Sequence, residues 1–184
     1  GGVSLGPGVA AAAGNQTAIT YVDGSSGGDG TQSNPYETIQ MGVNNASSGD
    51  TVIVESGTYS ESVTVNQSVT LETDGDVTLD GSSIDDFGFN ITVSDVTIHG
   101  FTVENYRAGI EAKNVTNVEI HATTVTGSDS QGITLDNVSE SVVQNSTVSE
   151  SNLEGILLKD AGNNTIQNNR IKNNRQNTSA VEER

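Results

Sequence analysis

Cysteine is absent, so no disulfide staples the fold and no thiolate nucleophile or zinc–thiolate site exists. Aromatic residues make up 4% of the 184 and apolar residues 32%, thin provision for an ordinary two-layer globule. Bases are scarce too: 7 stand against 24 acids, the formal charge is −17, and lysine occurs only as Lys113, Lys159 and Lys172. A surface this poor in bases cannot neutralise phosphates, which argues against nucleic acid and anionic membranes as partners. It repels itself at low ionic strength and suits strong salt, a balance like that of proteins from extreme halophiles. Acidic polysaccharides are repelled by the same charge, less so where salt screens it. No apolar run is long enough to cross a bilayer.

A fixed step is present instead. Gly109-Ile110, Gly132-Ile133 and Gly155-Ile156 recur every 23 residues. Asn114-Val115, Asn137-Val138 and Asp160-Ala161 keep that register, as do Ile120, Val143, Ile166 and Val125, Val148, Ile171. Ile98 and Val103 extend the last two files one turn earlier with a step of 22. Self-similarity at this period marks a solenoid, in which each turn supplies a few inward aliphatics and its neighbours cover them. That resolves the shortage of apolar residues.

Residues 1–18 read as the remnant of a secretory signal, with small residues at Val9 to Gly14, or as a flexible leader. Ile19 to Val22 reads as a strand and Asp23 to Ser33 as a loop. Asn34-Pro35-Tyr36-Glu37 has the signature of a helix start, with Asn as N-cap and Pro first. Tyr36, Ile39, Val43 and Ala46 then share one face, predicting a helix over 35–46 that covers the open end of the coil. From Thr51 short alternating strands follow, rich in β-branched residues. Turns this short leave no room for crossover helices, so successive units are predicted to stack as parallel strands through about residue 174, with 175–184 a polar tail. The polar end predicts that further repeats or another subunit cover the last rung.

The segment Tyr21-Val-Asp-Gly24 through Asn34-Pro-Tyr-Glu-Thr-Ile-Gln40, Gly49-Asp-Thr-Val-Ile-Val54 and Gly57-Thr-Tyr59 resembles the entry of right-handed parallel β-helix proteins of the pectin-lyase-like superfamily. Asn163-Asn-Thr-Ile-Gln-Asn-Asn-Arg-Ile-Lys-Asn-Asn174 is similar to their generic repeat, including that of periplasmic proteins linked to copper-enzyme maturation. The resemblance implies an all-β, single-stranded right-handed β-helix of five or six turns over 19–174. It does not fix an activity, because this scaffold carries lyases, hydrolases, epimerases, tailspikes and inert surface modules.

Candidate sites are read as files of equivalent positions. His99, His121, Gln144 and Gln167 follow the inward aliphatics and therefore point outward. They form either a polar ladder or, at the two imidazoles, a metal or acid–base site. Lys113, Asp136 and Lys159 form a second outward file, read as a ladder of ion pairs, with Lys113 as a catalytic base on the lyase analogy. Asn114 and Asn137, like Asn145 and Asn168, are expected to stack amide to amide. Arg107 breaks the pattern, with Ser130 and Leu153 at its counterparts, and Tyr106 beside it is expected to stack on a sugar ring. With Asp80, Asp85 and Asp86 close by, the resemblance implies the logic of calcium-dependent pectate lyases. Acids would hold Ca2+ while arginine takes the proton next to a carboxylate. Sequons at Asn15, Asn45, Asn66, Asn90 and Asn145 are glycosylation candidates.

The sequence thus predicts a secreted or surface-attached β-helix module, non-catalytic and without a cofactor, that contacts carbohydrate such as a cell-surface glycan. The alternatives are a lyase or hydrolase acting on acidic polysaccharide and a copper-enzyme maturation factor.

Overall fold

The computed structural model describes residues 17–25 and 27–181, and side chains as far as residue 178. The backbone winds into about six stacked turns with one short helix. β1 (Ile19–Val22) lies against β2 (Thr51–Tyr59) in parallel, and β2 against β4 (Thr70–Asp80). Beyond β4 each turn divides this sheet into two short strands. One branch holds β6 (Val96–His99), β9 (Val118–His121), β12 (Val142–Gln144) and β15 (Thr165–Gln167). The other holds β7 (Thr102–Glu104), β10 (Thr124–Thr126), β13 (Thr147–Ser149) and β16 (Arg170–Lys172). A separate six-stranded sheet stacks β3 (Val63–Val65), β5 (Phe87–Ile91), β8 (Ala108–Lys113), β11 (Ile133–Asp136), β14 (Glu154–Lys159) and β17 (Gln176–Val181).

Registers place the repeating aliphatics one above another: Leu71, Ile98, Ile120, Val143 and Ile166 form one file. Leu79, Val103, Val125, Val148 and Ile171 form the second. Phe89, Ile110, Ile133 and Ile156 form the third. All are buried except Ile166 and Ile171, which are only partly covered. Phe101 packs edge-on against Phe89 at 5.2 Å between ring centroids, filling the wider early turns. The recurring glycines admit close approach: a Cβ on Gly132 would lie 2.4 Å from Val148 Cγ1 and 2.7 Å from the Gly155 carbonyl oxygen.

Corners explain much of the asparagine. Asn105, Asn114, Asn117, Asn137, Asn145, Asn163, Asn168 and Asn173 all have φ between 52° and 61°, the left-handed region that asparagine tolerates better than most residues. The residue after three of them turns inward. Asn164, Asn169 and Asn174 accept from the backbone N–H of Ser141, Ser146 and Ser151 and donate to the carbonyls of Val138, Val143 and Val148. One rung below, the hydroxyl oxygens of Ser141 and Ser146 accept from Val118 N–H and Thr123 N–H.

Two boundaries differ from expectation. The helix α1 runs Ile39–Asn45, capped by the Thr38 hydroxyl on Met41 N–H, not from Pro35. The Asn34 carbonyl is instead taken by the amides of Asp29 and Gly30, and Tyr36 exchanges backbone bonds with the β1 edge. These non-local bonds outcompete the local helix signal. The expected polar tail contains β17, which continues the second sheet on β14 with Thr178 above Ile156. Backbone pairing adds this rung although its sequence breaks the aliphatic pattern.

Candidate functional site

Arg107 and two of the three predicted aspartates do meet. Its Nε lies 3.9 Å from Asp85 Oδ1, its Nη2 lies 3.8 Å from Asp86 Oδ1, and the guanidinium sits 4.4 Å above the Phe87 ring. Ser62 donates to the other oxygen of Asp86. Asp80 faces elsewhere: its Oδ1 accepts from the backbone and hydroxyl of Ser82 and from the Asn105 amide. Those bonds, the Ser82 hydroxyl foremost, hold the Asp80 carboxyl below the usual aspartate range. An open depression of about 250 Å³ is lined by Ser82, Ile84, Asp85, Asn105 and Asp129.

Tyr106 corrects the sequence reading. Its ring is fully buried, wedged against Gly81 and Gly88, and its hydroxyl donates to the Glu61 carbonyl. Burial, with Glu61 and Asp80 nearby, pushes the phenol well above its ordinary pKa. No face of this ring is available to a sugar. The residue one rung on is Ser128, so the large ring fills interior space that later turns do not have.

Lys113 pairs with Asp136 at 3.1 Å, and Lys159 reaches the same carboxylate at 3.7 Å, forming the expected ladder. The hydrogen bond and charge of Asp136 raise the Lys113 pKa, keeping it protonated. That opposes service as a base.

His99 and His121 lie one rung apart, ring centroids 4.8 Å from each other and tilted by 57°. Below them His99 Nδ1 is 3.6 Å from Glu72; above, His121 Nε2 is 3.4 Å from the Asn145 amide. Gln167 donates to Gln144 at 3.0 Å farther along the same file.

Of the expected asparagine stacks, Asn137 donates to Asn114 at 2.9 Å, whereas Asn145 turns to His121. Among the glycosylation candidates, Asn45 and Asn66 are exposed and Asn90 is half-buried in β5. Asn15 lies outside the described residues.

A file that the sequence reading passed over runs along the second branch of the large sheet. Thr58, Thr78, Thr102, Thr124 and Thr147 stand on successive rungs and point outward. The neighbouring file is Asp80, Glu104, Thr126 and Ser149, of which Ser149 is buried, and the last rung of both files carries Arg170 and Lys172. Among the described residues, no hydrogen-bond partner engages the hydroxyls of Thr78, Thr102, Thr124 or Thr147. The signal was the dipeptide Thr-Val recurring at 102, 124 and 147, legible once the core valines fix which side faces out.

Residues 67–183 match the family described as the right-handed beta helix region. A segment of 102 residues, 54% of this chain, is 29% identical to a cell surface glycoprotein of Methanothermus fervidus and spans 17% of that protein's length. Among solved structures, an alginate lyase from a Paenibacillus species superposes with a TM-score of 0.67 at 17% identity, covering 84% of this chain and 58% of the lyase. A pectate lyase superposes with a TM-score of 0.66, also at 17% identity, over 85% of this chain and 46% of its own. At that identity the lyases speak to fold alone. Their fold and the matched family agree with the stacked rungs seen here: the chain belongs to the right-handed β-helix family.

Proposed function

We propose that the chain is a secreted or cell-surface β-helix module whose outward threonine file contacts a linear glycan without transforming it. The observation that carries this reading is the run of five stacked threonines, four of them with unengaged hydroxyls, on a rigid sheet. Rungs repeat every ~4.8 Å, so hydroxyls recur at a step suited to successive units of an extended polymer. Each bond is weak and wet, and affinity comes from repetition. The distant likeness to a cell surface glycoprotein supports a surface location. The acid-rich surface favours neutral sugars over uronates and disfavours nucleic acid. No cofactor enters this account.

The competing reading is a calcium-dependent lyase centred on Arg107, Asp85 and Asp86. The Arg107 charge already faces both carboxylates, and a guanidinium gives up its proton reluctantly. The test incubates the protein in molar salt with neutral β-linked glycans and with alginate and pectate. Retention on neutral glycan, reduced by Thr102→Val/Thr124→Val, supports the proposal. Calcium-dependent formation of unsaturated uronate, abolished by Arg107→Ala, would replace it with the lyase reading.

A further inference from the structure

We propose that His99 and His121, with Glu72 on the preceding rung, form a surface site for a divalent transition metal such as Zn2+ or Cu2+. They are the only two histidines in the chain, and they occupy consecutive places in one outward file. The glutamines farther along this file bond to each other along the axis, at 3.0 Å. The histidines do not bond to each other. Each turns one nitrogen away from the pair, His99 toward Glu72 at 3.6 Å and His121 toward the Asn145 amide at 3.4 Å. The remaining nitrogens are left for a shared ligand.

Spacing fits such a ligand. Metal–imidazole bonds of ~2.0–2.1 Å at a tetrahedral angle bring two nitrogens to roughly 3.3 Å, which ring rotation achieves from centroids 4.8 Å apart. No three metal-ligating side chains converge on one point among the described residues, so the two imidazoles share the ion with water, and Glu72 orients His99 through its other nitrogen. Glu72 and His99 are respectively 45% and 39% exposed at the side chain, which permits the ring to turn with its carboxylate partner. Two imidazoles are borderline donors that select Zn2+, Cu2+ or Ni2+ over Ca2+ and Mg2+. The surrounding negative charge concentrates any cation near the surface, while the imidazoles supply selectivity.

The test uses tag-free protein titrated with zinc chloride and copper sulfate, followed by calorimetry and by the imidazole resonances of the two histidines. Saturable binding of one ion per chain, with both imidazoles shifting together, is expected. His99→Gln and His121→Gln each weaken it at least about tenfold, and Glu72→Gln weakens it severalfold. Glutamine already fills this file at 144 and 167, so these variants keep the fold, which circular dichroism verifies. Undiminished binding in the double histidine variant, or imidazole resonances unmoved by millimolar zinc, would overturn the proposal.

Discussion

The side-chain amide of Gln40 lies against the backbone of Thr64 as an extra strand would. Its Nε2 donates to the Thr64 carbonyl at 3.1 Å, and its Oε1 accepts from Thr64 N–H at 2.7 Å. Glu61 returns the favour from the coil to the helix, accepting from the N–H groups of Ile39 and Gln40 at 2.8 and 3.0 Å. With Ile39, Val43 and Ala46 buried beneath it, α1 closes the first rung by polar pairing as well as apolar cover. Replacing Gln40 with Ala leaves the edge of β3 unpaired. A loss of about 1–3 kcal/mol is expected, with faster amide exchange at Thr64 before any change in later rungs. Chemical denaturation and hydrogen exchange read both effects.

Gly132→Ala tests the close packing of adjacent turns. The added methyl meets Val148 and the Gly155 carbonyl, so a loss of about 1–3 kcal/mol is expected. Gly162→Ala is the control, because no atom lies within 4 Å of its Cβ position. Equal effects in thermal melts of the two variants would contradict the packing described here.

Asp80 predicts a pH dependence. Its bonds to Ser82 and Asn105 put the folded-state pKa below the unfolded one, so its contribution is complete above the unfolded pKa. That contribution is lost as pH falls through the folded pKa. Asp80→Asn should therefore be less stable than the parent at neutral pH and converge with it in strong acid. Denaturant midpoints measured from pH 7 to pH 2 check this.

Charge predicts a salt response. Every lysine and arginine in the chain lies at position 107 or later, so the permanent charges of the first turns are all acidic. Raising salt from millimolar to molar screens that repulsion and should raise the melting temperature steadily. A melting temperature that falls with sodium chloride would contradict the assignment of net repulsion.

Much of this was legible before any coordinates. The step from Gly109 to Gly132 to Gly155 located the turns, and alternation placed His99 beside His121 and Lys113 beside Asp136. Local signals failed where distant backbone competed with them. Asn34-Pro35 looked like a helix start, yet the Asp29–Gly30 loop and β1 claimed its backbone groups. Tyr106 looked available to a sugar because its loop is polar, but the glycines at 81 and 88 leave a slot that draws the ring inside. Gln176 to Val181 lacked apolar alternation, and backbone pairing to β14 ordered it regardless. The threonine file escaped notice because each threonine is unremarkable alone. It becomes a surface only when rungs stack.

That stacking underlies every site described, and the absence of cysteine makes it directly measurable with spin labels at Thr58→Cys and Thr147→Cys. The two positions are 89 residues apart in sequence but four rungs apart in the coil, so electron–electron dipolar spectroscopy should give one narrow distance near ~20 Å. A broad distribution, or a mean beyond roughly 30 Å, would contradict the stacked-rung account.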